Sequence, residues 1–337
     1  MSWQIAIERG RIKRPVKRVG SGIALEHRDR FRVGRLGPGI VHDIDCLDDK
    51  PTAVRHRLDK CAGLIAQMTT RCRVESNPLH ASTPHRLGQK HNATANLMSM
   101  TPDLRLAVAP MMDWTDPACR YLLRLISRHT RLYTEMVPAQ ALWHGRAGRF
   151  LAGHPAEAPV ALQIGGSDPQ QLAHAAALAG QWGYDEVNLN VGCPSDRVQS
   201  ARFGACLMRE PGLVGELVAS MREATHLPVT VKSRIGVDED DSFEQLCHFT
   251  ERVIAGGADA LIVHARKAWL SGLSPRQNRE VPPLRHATVA ALKAAFADFP
   301  VVINGGIRDL QTAADWLETL DGVMIGRAAY HDPWLLA

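Results

Sequence analysis

From Leu104 onward the sequence repeats one pattern eight times: a short apolar run, then a segment with helical spacing. The apolar runs are Leu104–Ala109, Leu132–Met136, Val160–Ile164, Glu186–Asn190, Pro228–Lys232, Ala260–His264, Pro300–Asn304 and Gly322–Ile325. Between them lie amphipathic segments, among them Pro117–Ser127, Pro169–Gln181, Glu210–Thr225, Ser242–Ala255, Thr288–Asp298 and Leu310–Leu320. Pro169 and Pro211 stand where a first helical turn tolerates proline, and Asp168 is placed to cap the helix it precedes. Strands alternating with helices make a parallel sheet, and eight such units close into a barrel more readily than they spread into an open sheet. No Gly-x-Gly-x-x-Gly turn follows the first strand, which removes the usual signature of a doubly wound fold. The fold expected is therefore an α/β, TIM-type (β/α)8 barrel.

In such a barrel the reactive groups gather at the C-terminal ends of the strands. Those ends carry Pro110, Met111 and Met112 after the first strand, Glu135 at the second and Gln163 at the third. Asn190 and Cys193 follow at the fourth, Lys232 and Arg234 at the fifth, His264 and Arg266 at the sixth. Asn304, Gly305 and Gly306 end the seventh, and Gly326 and Arg327 the eighth. One such residue alone would be an ordinary surface or core residue, but a polar group at nearly every end makes a shared mouth. Around Cys193 the strand breaks at Gly192 and Pro194, which leaves a thiol just past a strand end. The glycines after the last two strands occupy the usual phosphate site of this fold, where backbone N–H groups face an anion. They indicate a phosphorylated ligand without saying whether it is substrate or cofactor.

Taken together, these residues resemble the tRNA-dihydrouridine synthase family, most closely its DusA subfamily. The resemblance rests on Ala109-Pro110-Met111-Met112-Asp113, Gln163-Ile164-Gly165-Gly166, Asn188-Leu189-Asn190-Val191-Gly192-Cys193-Pro194-Ser195 and Val231-Lys232-Ser233-Arg234. His264-Ala265-Arg266-Lys267-Ala268-Trp269-Leu270, Gly272-Leu273-Ser274-Pro275 with Asn278-Arg279-Glu280, Asn304-Gly305-Gly306-Ile307 and Gly326-Arg327-Ala328 complete it. It implies FMN in the barrel mouth, NADPH as reductant, and tRNA as substrate. The implied product is 5,6-dihydrouridine in the D-loop, at positions 20 and 20a. By matching positions, Pro110, Met111, Met112, Gln163, Lys232, His264, Asn304, Gly305, Gly306, Gly326 and Arg327 would hold the cofactor. Cys193 would be the catalytic acid. Asn190, Arg202, Arg266, Lys267, Gln277, Arg279 and Glu280 would meet the RNA. The chemistry suits the residue types: reduction adds hydride at C6 of uracil and needs a proton at C5, which a thiol with a pKa near 8.5 still carries at neutral pH. A base stacked in tRNA would have to be extruded to reach such a mouth.

Residues 1–97 read differently. They are dense in Arg, His, Lys and Pro, as in Arg11-Ile12-Lys13-Arg14-Pro15-Val16-Lys17-Arg18, and hold neither the helical nor the strand period. They are expected to be a disordered basic extension or the result of a mis-assigned start codon, with the barrel domain spanning 98–337. At the other end the chain stops at Ala337, in a run that resembles the opening of the eighth helix. Family members complete that helix and add a helical tRNA-binding domain. Its absence leads to the expectation of a gap in the barrel beside the first and eighth strands.

The 337 residues are 45% hydrophobic and 22% charged, with a formal charge of +5, which permits an anionic partner without requiring one. Seven scattered cysteines include no CxxC pair, so neither a metal nor a disulfide framework is expected, and a reducing cytoplasm is. No apolar run is long enough to span a membrane. A monomer is expected. Two other readings share part of the signal: an FMN barrel of the dihydroorotate dehydrogenase kind acting on a free small molecule, and an inactive RNA-binding remnant. The loop motifs around Arg266–Trp269 and Asn278–Glu280 argue against the first.

Overall fold

A computed structural model describes residues 103–337, together with two short strands near the N-terminus. Those two, Ile7–Glu8 and Arg11–Ile12, pair antiparallel as a unit of their own. The expectations for the rest of residues 1–97 lie outside the described residues.

The eight barrel strands are β1 (Leu106–Val108), β2 (Leu132–Tyr133), β3 (Val160–Gly165), β4 (Glu186–Val191), β5 (Val229–Arg234), β6 (Ala260–His264), β7 (Val301–Asn304) and β8 (Gly322–Ile325). From β2 to β8 each strand pairs in parallel with the next in sequence, and β8 returns to pair with β1. A bridge between Ala107 and Arg131 joins β1 to β2, carried by the Val108 N–H donating to Arg131 O and the Arg131 N–H donating to Leu106 O, both at 2.9 Å. The expected gap beside the first and eighth strands is therefore absent. Val323, Met324 and Ile325 of β8 are fully buried, with Ala107 and Val108 of β1 almost so. The strand ring closes because the backbone of β1 finds partners on both sides.

Six helices of eight or more residues cover the outside: α1 (Pro117–Ile126), α2 (Pro169–Gln181), α3 (Pro211–Ala224), α4 (Phe243–Ala255), α5 (His286–Ala295) and α6 (Leu310–Leu317). Proline opens α1, α2 and α3. The Asp168 carboxylate accepts the Gln171 N–H at 2.9 Å, as the sequence suggested, and Asp116, Ser242 and Asp309 cap α1, α4 and α6 in the same way.

Alternation along β4 decides what the barrel holds. Val187, Leu189 and Val191 point outward into the main core with Leu172, Leu217 and Val218 of the covering helices. Glu186, Asn188 and Asn190 therefore point inward, as do Thr230, Lys232 and Arg234 of β5. On the opposite wall, Ala107, Ala109, Ala260, Ile262, Val302 and Met324 form a small apolar interior cluster. The interior is thus apolar on one side and polar on the β2–β5 side. The second strand is shorter than the run Leu132–Met136 suggested. It breaks after Tyr133 and resumes pairing with β3 at Val137–Pro138, while the Thr134 hydroxyl accepts the Gln163 N–H at 3.0 Å across the break.

Candidate active site

Cys193 lies in the loop after β4, and three contacts fix that loop. The Ala205 N–H donates to Cys193 O at 2.9 Å. Asn190 Oδ1 accepts the N–H groups of Gly192 (3.1 Å) and Cys193 (3.0 Å). Arg234 Nε donates to Gly192 O at 3.1 Å. Gly204 has φ +79°, and a Cβ there would stand 2.5 Å from Cys193 O. The close approach that holds the cysteine loop therefore needs glycine. The thiol is half-buried, with Sγ 3.5 Å from Ser195 Oγ.

Lys232 sits opposite Asn190 in the strand register. Its ammonium has no hydrogen-bond or ion-pair partner among the described residues. Burial, with a further push from Arg234, lowers its pKa to about 7, against an opposing pull from Cys193. His264, at the end of β6, has a buried Nδ1 with no partner among the described residues. Burial, then Arg234, Lys232, Arg266 and Arg279 in turn, holds its pKa well below the ordinary value, so the ring is neutral. Arg234 is almost fully buried, and its pKa falls to about 10 for the same reason. Its Nη1 also donates to Asn278 O at 3.0 Å, which ties the β4 loop to the β6 loop.

Gly305 and Gly306 follow β7 with φ of +111° and +79°. A Cβ on Gly305 would come within 3.2 Å of the His264 ring, and one on Gly306 within 2.4 Å of Leu284. His286 Nε2–H donates to Gly305 O at 2.7 Å. Asn304 Nδ2 donates to Met324 O at 2.7 Å, so this side chain braces β7 against β8. Gly326 precedes the short helix Arg327–His331. Pro110 and Met111 line the first loop half-buried, whereas Met112 is 54% exposed.

Gln163 and Asn190 lie deeper than rim residues and are largely committed to each other. Asn190 Nδ2 donates to Gln163 Oε1 (2.9 Å), and Gln163 Nε2 donates to Asn188 Oδ1 (2.7 Å). On the rim, Arg202 is open to solvent at φ +55°, 3.7 Å from Glu210. Lys267 is not a free surface cation. It donates to Asp238 O (2.8 Å), pairs with Asp241 (3.3 Å) and lies 4.3 Å over the Trp269 ring. Gln277 Oε1 accepts from the Ser274 N–H and hydroxyl, a turn-closing role. Arg266 donates to the Glu280 and Pro282 carbonyls. Glu280 pairs with Arg327 (3.0 Å) and Arg276 (3.7 Å). The Arg279 guanidinium is left, among the described residues, with no hydrogen bond or ion pair, and burial and Arg327 lower its pKa.

The result is a mouth with Cys193 and Lys232 at its floor and a surplus of positive charge. Residues 107–337 match the dihydrouridine synthase (Dus) family model. The chain belongs to the dihydrouridine synthase family. A relative from Xanthomonas axonopodis pv. citri, named tRNA-dihydrouridine(20/20a) synthase, is 58% identical over 243 residues, 72% of this chain and 73% of its own length. Proteins of the same name from Vibrio vulnificus (57% over 239 residues, 71% and 73%) and Synechocystis sp. (56% over 232 residues, 69% and 70%) are also similar. As in the sequence expectation, the dihydrouridine synthase match leaves out the N-terminal arm. Two residues that now carry structural weight in the mouth had no assigned role. Arg234 was already placed at the mouth by its position at the end of the fifth strand, two residues beyond Lys232, but its hold on the cysteine loop is visible only in the fold. Asn278 is fully buried, donating to Trp269 O (2.9 Å) and Leu273 O (3.1 Å) to shape the β6 loop, which only the folded loop reveals.

Proposed function

We propose that this chain reduces uridine to 5,6-dihydrouridine in the D-loop of tRNA, at positions 20 and 20a, with FMN in the barrel mouth and NADPH as reductant. The observation that carries the reading is the convergence of a thiol, Cys193, in the loop three residues beyond Asn190, with the unpartnered Lys232 that sits opposite Asn190 in the β4–β5 register and feels the charge of Cys193. The fit to FMN is supported by three features: Lys232 and His264 Nδ1 each lack a partner among the described residues, and left-handed Gly305 after β7 brings no side chain against the His264 ring. FMN, when bound, supplies the electrons of the reduction, and NADPH renews them. Pro110, Met111, Met112, Gln163, Lys232, His264, Asn304, Gly305, Gly306, Gly326 and Arg327 are the residues proposed to hold it.

The chain's own contribution is orientation and a proton. Near neutral pH burial leaves Lys232 only partly charged, and an anionic group beside it restores the full charge. It thus favours ligands that place electron density at the mouth's floor. Cys193 holds a proton at Sγ and delivers it to C5 of the uracil. Arg234 and Asn190 hold the backbone of that loop from opposite sides. Arg202, Arg266, Arg279 and the neighbouring Lys267, Gln277 and Glu280 form the rim proposed to meet tRNA, with Arg279 the strongest phosphate contact because no carboxylate pairs with it. Asn190 is proposed to reach the base itself with its remaining N–H. The thiol state of Cys193, Cys206 and Cys247 suits a cytoplasmic enzyme. No helix among the described residues is long and apolar enough to cross a membrane.

The test is an absorption spectrum of the purified chain, followed by incubation with unmodified tRNA and NADPH. A flavin band and dihydrouridine at positions 20 and 20a are expected. A protein that remains colourless after added FMN would overturn the cofactor assignment. A yellow protein that leaves tRNA unmodified but reduces a small pyrimidine would favour the free-substrate reading.

A further inference from the structure

Five side chains inside the barrel make one directional hydrogen-bond series that ends at Cys193. At its base, Glu186 Oε1 accepts from the Thr230 hydroxyl (2.5 Å) and from the Tyr133 hydroxyl (2.8 Å). Asn188 Nδ2 donates to Thr230 Oγ1 at 2.8 Å. Gln163 Nε2 donates to Asn188 Oδ1, and Asn190 Nδ2 donates to Gln163 Oε1. Asn190 Oδ1 then accepts the Gly192 and Cys193 N–H groups. Glu186, Asn188 and Thr230 are fully buried and Gln163 nearly so, so water does not compete for these bonds.

The polarity of this series is set from its base. Glu186 Oε1 accepts from both hydroxyls that reach it. The single proton of Thr230 therefore points at Glu186, and its oxygen is left to accept from Asn188. Each amide above is then fixed in turn, nitrogen toward the base and oxygen toward the mouth. Reversing any one amide would set oxygen against oxygen in a dry interior. Burial raises the Glu186 pKa, and Arg131, whose Nε lies 3.7 Å from Oε2, and the Thr230 and Tyr133 hydroxyls oppose that rise. The outcome is that Asn190 presents an acceptor, not a donor, to the loop that carries the thiol.

We propose that Glu186, Thr230 and Asn188 are positioning residues, acting through Gln163 and Asn190 to hold the backbone of Cys193 in the orientation from which its proton is delivered. This deepens the reading of Cys193 as proton donor and rests on it. Glu186, Thr230 and Asn188 do not touch the mouth themselves. Tyr133 bonds to the same carboxylate oxygen but lies off the series, which makes it the internal control.

The experiment compares Thr230→Val, Thr230→Ser and Tyr133→Phe in the full chain. Two readouts do not depend on turnover: amide exchange at Cys193, followed by NMR with isotopically labelled cysteine, and the rate of Cys193 alkylation by iodoacetamide, followed by peptide mass with Cys247 as reference. Thr230→Val breaks the series, so exchange and alkylation at Cys193 should both accelerate several-fold while Cys247 is unchanged. Its kcat should fall about 10- to 100-fold, as misplacement of a reacting group by an ångström can do, with KM for tRNA unchanged. Thr230→Ser should restore all three, and Tyr133→Phe should leave them near the parent values. Equal effects of Thr230→Val and Tyr133→Phe, or no change at Cys193 in Thr230→Val, overturn the proposal. If Thr230→Val does not fold, Asn188→Ser breaks the series one link higher and carries the same expectations. In the unaltered chain the Cys193 amide must already be protected, and free exchange there overturns the proposal without any variant. Because exchange and alkylation are read without turnover, failure of the series is distinct from failure of Cys193 as the acid, which Cys193→Ala reports.

Discussion

Replacing Lys232 with methionine should make the ligand-free protein more stable at pH 6. Lys232 occupies an inward position on β5 with no partner for its ammonium among the described residues, and its pKa falls from the ordinary 10.5 to about 7. The unfolded chain therefore binds a proton more readily than the folded one between these values. Stability is depressed in full below pH 7, and the deficit disappears as pH rises toward 10.5. At roughly 1.4 kcal/mol for each unit of displacement, the full deficit is on the order of 5 kcal/mol. Water at the open mouth returns part of it, so a gain of about 2 kcal/mol is expected for the uncharged, similarly shaped methionine at pH 6. For a chain of this size that raises Tm by about 4–8 °C. Thermal unfolding of the flavin-free parent and variant at pH 6 and pH 9 is the assay, and the advantage should shrink at the higher pH. A variant less stable than the parent at pH 6, or an advantage independent of pH, would refute the claim that Lys232 is held charged at a cost for the sake of a ligand. The same variant should lose affinity for FMN.

Three further perturbations probe other parts of the account. Glu157→Ala removes the partner of Arg120 (2.7 Å, both side chains 4% exposed) and should cost about 3–5 kcal/mol in urea unfolding, because an unpaired guanidinium stays buried. Gly204→Ala places a Cβ against Cys193 O at a left-handed φ and should lower dihydrouridine formation more than it lowers Tm. Arg279→Ala should weaken tRNA binding, reduce the salt dependence of that binding by about one unit of slope, and leave flavin content unchanged.

Much of the barrel is written locally in the chain. The spacing of Val187, Leu189 and Val191 against Glu186, Asn188 and Asn190 is the strand period itself, and prolines at 117, 169 and 211 mark helix starts that the structure reproduces. In the structure the same alternation places Asn188 and Glu186 inside the barrel. What it could not supply is their use, because bonds such as Thr230 to Glu186 join residues 44 positions apart. The rim was the least legible part. Lys267 looks like a surface cation in sequence, but the turn at Asp238–Asp241 folds back against it and consumes its charge. Arg279, next to Glu280 in sequence, keeps its own because Glu280 turns to Arg327. The expected gap in the barrel was wrong for a related reason. Closure depends on the backbone of Leu106–Val108 meeting both Arg131 and β8, and hydrophobic patterning does not report that pairing.

The central claim, that this mouth reduces uridine with Cys193 as the acid, is tested most directly by one comparison. Dihydrouridine formed in unmodified tRNA is measured for the parent and for Cys193→Ala, with flavin content determined on the same samples. The account predicts that the variant binds flavin as the parent does and loses most of its product formation. A variant that keeps its flavin and turns over at the parent rate would contradict it.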